Sequence, residues 1–182
     1  MRTLLMNLTV AAVASGLVAT PALAGPSIDR KPGASSIAEI VAASPDHTVL
    51  ELAVGLAGLG GVLSDPDVRL TVFAPTDAAF AKVAGELGFA SVTDLANYLV
   101  AQGLLDDVLL YHVTPGRRFS NSVVNRNNPK AIETLLLGQY VTATPKGTLV
   151  DGSTDTSDAA ITAPNISASN GVVHVIDNVL VP

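Results

Sequence analysis

The chain has 182 residues, 48% of them hydrophobic, and no cysteine, so disulfides, thiolate catalysis and cysteine-based metal sites are excluded. Its formal net charge of −6 at pH 7 is the wrong sign for a surface that neutralises phosphates, and nucleic acid is set aside as a partner. At this length one compact domain is expected.

Residues 1–24 read as an export signal. Arg2 supplies the positive start, Leu4–Val18 is an apolar run interrupted by Asn7, Thr9, Ser15 and Gly16, and Ala22-Leu23-Ala24 fits a small-x-small cleavage pattern ending at Ala24. The run is shorter than the ~20 apolar residues of a membrane span, so no membrane insertion is expected after its removal. A secreted or periplasmic chain follows. Residues 25–35, with Pro26 and Pro32, form a flexible leader, and 36–182 a single domain.

Ser36-Ile37-Ala38-Glu39 is a capping box that opens a short helix, with Ile37, Ile40 and Val41 inward and Pro45 as its stop. Thr48-Val49-Leu50-Glu51 repeats the pattern and opens a longer helix, closed by a turn at Gly58, Gly60 and Gly61. Thr71–Phe80 is the strongest local signal. Thr71, Val72 and Phe73 favour an extended strand, Pro75 ends the pairing, and Thr76 or Asp77 caps a helix that continues through Phe80 to Val83. Ser91–Asp94 is a third capping box, and the helix after it places Leu95, Tyr98 and Leu99 on one face. Leu104–His112 carries Leu105, Val108, Leu109 and His112 as a stripe, closed at Thr114-Pro115-Gly116.

Beyond Gly116 the pattern turns extended. Phe119–Val124 reads as a strand and Ile132–Leu137 as an apolar run. Tyr140–Thr144 and Thr148–Val150 form a hairpin about Pro145-Lys146-Gly147, and Asp151–Asp158 is a mobile acidic loop. Asn170-Gly171 reads as a tight turn at positive φ leading into a last strand, Val172–Val181. Helices crowd the first half and strands the second, which gives an α+β fold.

Three blocks, Thr71–Phe80 (TVFAPTDAAF), Leu110–Gly116 (LYHVTPG) and Asn170–Pro182 (NGVVHVIDNVLVP), together with Thr134–Gly138 (TLLLG), closely resemble the fasciclin domain family in its single-copy bacterial form. The resemblance covers about Ser36–Pro182. It implies a β-wedge or sandwich packed beside an α-helical layer, with the first and last blocks as adjacent strands. It also implies a module of adhesion and protein contact. The structural positions it marks are Thr71, Phe73, Pro75, Thr76, Asp77, Phe80, His112, Asn170, Gly171, His174 and Asp177. In some animal members the Tyr-His block is linked to integrin binding. The matching pair here is Tyr111-His112, followed by Arg117-Arg118 and without an Arg-Gly-Asp, and that activity is not transferred.

His112 has two readings, a contact residue or a buried imidazole bonded to backbone carbonyls or to a partner such as Asp77; the second is the ordinary state of a histidine on an apolar stripe. His174 and Asp177 point to opposite faces of a strand, which argues against a metal pair. His47 is expected at the surface. No metal or other cofactor is expected. No G-x-S-x-G elbow is present, and no enzyme is predicted. Arg117, Arg118, Arg126 and Lys130 cluster in an acidic chain and read either as a solvated face or as a dock for an anionic partner. Asn165-Ile166-Ser167 fits a glycosylation sequon. The chain is thus expected to be an exported, non-enzymatic, monomeric adhesion or interaction module that meets a protein or polysaccharide surface through residues such as Tyr111, His112, Arg117 and Arg118. The alternative is a cell-envelope domain that binds a small molecule or glycan in a concave apolar pocket.

Overall fold

The computed structural model describes residues 35–182; the predicted export signal and all but the last residue of the leader lie outside the described residues. Ser36 opens α1 (Ile37–Ala42) with the full capping box: its hydroxyl accepts the Glu39 N–H at 3.3 Å, and the Glu39 carboxylate accepts the Ser36 N–H at 2.7 Å. The second box does not form. Thr48 already lies inside α2 (Thr48–Leu56), and the residue at the cap position is His47. Asp77 does the capping from 28 residues away: its Oδ1 accepts the Val49 N–H at 2.9 Å and its Oδ2 accepts the Thr48 hydroxyl at 2.6 Å. His47, expected outside, is buried, because its Nδ1 meets Ser44 Oγ at 2.7 Å and closes the turn between α1 and α2. Gly58 ends α2 at φ 68°, but Gly60 and Gly61 start another turn of helix, α3 (Gly60–Ser64), instead of prolonging the loop.

The strand-to-helix corner forms as β1 (Leu70–Pro75) followed by α4 (Asp77–Glu86), with Thr76 Oγ1 accepting the Ala79 N–H at 3.2 Å. Two more helices follow, α5 (Val92–Gln102) and α6 (Leu105–Tyr111). The chain then runs through β2 (Val113–Pro115), α7 (Ser120–Val123), β3 (Lys130–Glu133), β4 (Tyr140–Ala143), β5 (Thr148–Val150), β6 (Ala159–Ser167) and β7 (Gly171–Ile176). The predicted strand over Phe119–Val124 is therefore a single helical turn. Asn165 Oδ1 accepts the Ser120 N–H at 2.7 Å, and Val123 N donates to Phe119 O, so the local bonds close within the turn and leave none for a ladder.

The seven strands form one mixed sheet in the order β2-β1-β7-β6-β5-β4-β3. Only β1 and β7 run parallel, in register from Leu70↔Gly171 to Pro75↔Ile176. Leu135 N donates to Val113 O at 2.7 Å, which draws the two ends of the sheet together into a near-barrel wedge. One core lies inside the wedge around Phe73, Tyr111, Ile176 and Leu180; the other lies between the outer face of β1–β7 and the helices, around Ile37, Val72, Phe80 and Val173. Both faces of β1 are thus covered, and all six of its residues are buried.

Asn170-Gly171 is not the positive-φ turn that the dipeptide predicts. Neither residue has positive φ, and both are buried. A Cβ on Gly171 would stand 2.1 Å from Leu70 O and 2.6 Å from Ile37 Cδ1, so glycine is required by the close approach of β1 and α1. The Asn170 amide joins three elements. Its Oδ1 accepts the Ile37 N–H at 2.9 Å, and its Nδ2 donates to Leu63 O at 2.8 Å and Asp65 O at 3.1 Å.

Two buried histidines tie loops to the framework. His112 caps α6; its Nε2 accepts the Leu180 N–H at 2.9 Å, which leaves Nδ1 to donate to Val108 O at 2.7 Å. The pairing with Asp77 offered for His112 does not occur, since Asp77 is spent on α2. His174 stacks on Phe73 with centroids 5.8 Å apart. Its Nδ1 accepts the Asn165 N–H at 3.3 Å, so Nε2 donates to Arg118 O at 2.8 Å. The two rings hold opposite tautomers, each fixed by the one N–H it must accept. Asp177 is exposed on the other face of the strand end and accepts the Ala160 N–H at 2.6 Å.

Two predictions follow from these contacts. Asn170→Ala strands one buried N–H and two carbonyls and lowers unfolding free energy by roughly 3 kcal/mol in denaturant titration; a loss under about 0.5 kcal/mol contradicts the assignment. Burial holds the His112 pKa down at about 4 against 6.5, despite the bond to Val108, and the His174 pKa is lowered in the same way. The unfolded chain then binds more protons between those values. Stability is complete above pH ~6.5 and declines as pH falls towards ~4, with about 3 kcal/mol belonging to His112. The loss becomes shallower over that window in His112→Gln, and an identical pH profile for the two proteins rules the account out.

Candidate interaction surface

Tyr111 and His112, singled out as possible contact residues, are both buried and present nothing to a partner. The Tyr111 hydroxyl donates to Tyr140 O at 3.0 Å and accepts the Gly152 N–H at 3.2 Å, and burial raises its pKa above the ordinary phenol value. The Tyr-His pair faces inward because it ends α6 between the two cores, with Tyr111 entering one and His112 bridging to Leu180. Asp77 is likewise committed. Burial pushes its carboxyl up, but the bonds from Thr48 and Val49 outweigh this and leave the pKa below the ordinary value.

The acidic loop Asp151–Asp158, expected to be mobile, is tethered at both ends. Asp151 Oδ2 accepts the Val181 N–H at 2.8 Å, and Ser157 donates its hydroxyl to Glu86 Oε1 at 2.5 Å and its N–H to Glu86 Oε2 at 3.1 Å. Burial raises the Asp151 pKa, whereas the Ser157 bonds lower that of Glu86.

Among the described residues, two parts of the surface stand out. The first is apolar and flanks α5. On one side a cleft runs between α2 and α5, where Leu52 and Leu56 are each 62% exposed and Val100 51%. On the other side a wider cleft of about 480 Å³ is walled by Leu87, Phe89, Tyr98, Leu104 and Leu137, with Asp107 and Gln139 as its polar groups. Leu137, the end of the predicted apolar run, is 95% exposed. Sequence periodicity set Tyr98 inward with Leu95 and Leu99. Leu95 is buried, but Tyr98 leans out against Phe89, with ring centroids 5.2 Å apart.

The second part is polar and cationic. Arg117 and Arg118 follow β2; Arg117 donates to Ser167 Oγ at 3.0 Å and lies 5.9 Å over the Phe119 ring, and Arg118 Nε donates to Pro115 O at 3.0 Å. Arg126 and Lys130 line a groove of about 550 Å³ with Asn121, Ser122 and Asn125. Asn165, the sequon residue, has φ 66° and an amide that donates to Ser120 Oγ at 2.8 Å. Among the described residues no helix is long and apolar enough to cross a membrane.

A sequence profile of the Fasciclin domain matches residues 45–182. Protein sll1483 of Synechocystis is 33% identical over 150 residues, covering 82% of this chain and 74% of its own. Protein sll1735 of the same organism is 31% identical over 145 residues, covering 80% of this chain and 96% of its own. Immunogenic protein MPB70 of Mycobacterium bovis is 33% identical over 141 residues, covering 72% and 64%. The fold superimposes on a FAS1 domain pair from the insect cell adhesion molecule Fasciclin I with a TM-score of 0.62 at 13% identity, covering 82% of this chain and 52% of that one, so this chain spans about half of the pair. With the profile spanning the described fold from the start of α2 onward, and relatives at this level of identity, the chain belongs to the fasciclin domain family.

Proposed function

We propose that this chain is an exported, non-enzymatic adhesion module that docks a protein partner through the apolar surface flanking α5. Fasciclin domains are known for adhesion-related roles and mediate protein interactions. The observation that carries the reading is the set of exposed apolar side chains flanking α5: Leu52 and Leu56 from α2, Tyr98 and Val100 from α5, then Leu104 and, from the segment between β3 and β4, Leu137. Side chains of this size grouped around two clefts mark a contact surface more than scattered exposure does. The two best-buried imidazoles support the same reading, because each spends both nitrogens on backbone partners and has no free lone pair for a substrate proton. The domain acts as a monomer, in the periplasm or outside the cell.

A second reading rests on the 480 Å³ cleft beside α5, whose size and mostly apolar lining, with Asp107 and Gln139 as polar groups, suit an amphipathic small molecule. The two readings separate in one set of experiments. Beads coated with the protein are expected to adhere to cells of the producing organism, and Leu52→Glu with Leu56→Glu to reduce adhesion by roughly tenfold or more at an unchanged melting midpoint, as for the loss of a buried apolar anchor. Undiminished adhesion by the double variant removes the α2–α5 surface. A melting midpoint raised by an amphiphile in the wild type but not in Leu104→Glu favours the small-molecule reading.

A further inference from the structure

The cationic surface has a different chemistry from the α5 face and is not used by the proposed protein contact. Residues 108–132 hold Arg117, Arg118, Arg126 and Lys130 and not one Asp or Glu, in a chain whose net charge is −6. Arg117 and Arg118 precede the single turn of α7, Arg126 and Lys130 line the groove that α7 helps to wall, and Lys130 reaches back to Ser122 O in that turn at 2.5 Å. The bonds that Arg117, Arg118 and Lys130 make go to neutral oxygens: Ser167 Oγ, Pro115 O and Ser122 O. Their positive charge is therefore left for an outside partner. Glu133, the nearest carboxylate in sequence, sits three residues after Lys130 on β3. It alternates to the opposite face, since Lys130 sides with the buried Ile132.

We propose that this surface binds a linear acidic polysaccharide, its carboxylates or sulfates meeting Arg117, Arg118, Arg126 and Lys130 and its hydroxyls meeting the amides of Asn121 and Asn125. Three features select a glycan over other polyanions. The groove is lined by amides, a hydroxyl, Val124 and Pro129, without an aromatic or long aliphatic anchor, whereas a protein partner wants a dehydrated apolar centre. Phe119, the exposed aromatic next to Arg118 in the chain, already has the Arg117 guanidinium over its ring, so it does not serve as a stacking platform for bases. The cations fall on two segments, one before and one after α7, and of the four Arg126 and Lys130 line the groove, which suits a polymer of repeated charge.

The test uses the full chain and polygalacturonate as probe, with neutral dextran, poly-glutamate and phosphatidylglycerol vesicles beside it, measured by calorimetry at low and physiological salt. Polygalacturonate is expected to bind, to weaken as salt rises, and to exceed the other three probes. Arg126→Glu with Lys130→Glu, and separately Arg117→Glu with Arg118→Glu, are each expected to weaken it by roughly tenfold or more. Asn121→Ala with Asn125→Ala is expected to weaken polygalacturonate without changing the salt dependence. Melting midpoints establish that each variant is folded, and the two charge-reversal pairs lie on different segments, so either one alone decides the matter. The proposal is overturned by absent binding, by unchanged binding in the charge-reversed proteins, by poly-glutamate binding as tightly (an acidic protein partner), or by vesicles binding as tightly (a membrane surface). Loss of adhesion in the Leu52 and Leu56 variant with polygalacturonate binding intact shows the two surfaces to be independent.

Discussion

The fold turns on the close approach of three chain segments at Asn170-Gly171. Parallel strands β1 and β7 meet at Leu70↔Gly171, and the start of α1 presses on the same point. No side chain fits there. One residue earlier, the Asn170 side chain carries an acceptor for the first N–H of α1 and donors for two carbonyls at the end of α3. A parallel strand pair has no hairpin to set its register; here the register is set by what fits at its first residue pair. Once β1 is held against β7, Thr76 and Asp77 follow at the strand's far end, and Asp77 positions α2. The helical layer is thus fastened to the sheet at both ends of one strand.

Three further buried side chains serve the same purpose. His112 joins α6 to the C-terminal segment, His174 joins β7 to the loop after β2, and Tyr111 joins α6 to β4 and the acidic loop. Each side chain bonds backbone groups of segments distant in the chain, among them Leu180 N, Arg118 O and Gly152 N. Interior chemistry of this kind explains why the most recognisable residues of the chain lie inside. The residues of the two proposed contact surfaces, the leucines of α2, the ends of α5 and the basic run around α7, carry weaker local signals.

Much of the architecture is legible in the sequence, and most of the departures come from partners far away in the chain. The α1 capping box, the β1–α4 corner, the Tyr140–Val150 hairpin and the α+β class rest on contacts a few residues apart, and those read correctly. Asn170-Gly171 was misread because its partners lie 133 and 107 residues away. Thr48 reads as a cap, but Asp77, from another helix, supplies that cap; His47 reads as exposed, but its bond to Ser44 folds it into the turn between α1 and α2. Phe119–Val124 was misread because two adjacent valines look extended, while Asn165 secures the turn from a different strand. The basic cluster was visible as composition alone. The apolar α5 surface was not, since helical spacing tells which residues share a face but not where that face meets solvent; Tyr98 is the example.

Amide hydrogen exchange at Ile37 tests the central claim most directly. The first N–H groups of a helix have no partner within it and exchange quickly. If Asn170 Oδ1 holds the Ile37 N–H as described, this amide exchanges as slowly as those of Val72 and Val173 in the central strands. Exchange at the rate of an open helix end would show that the Asn170 junction does not govern the fold.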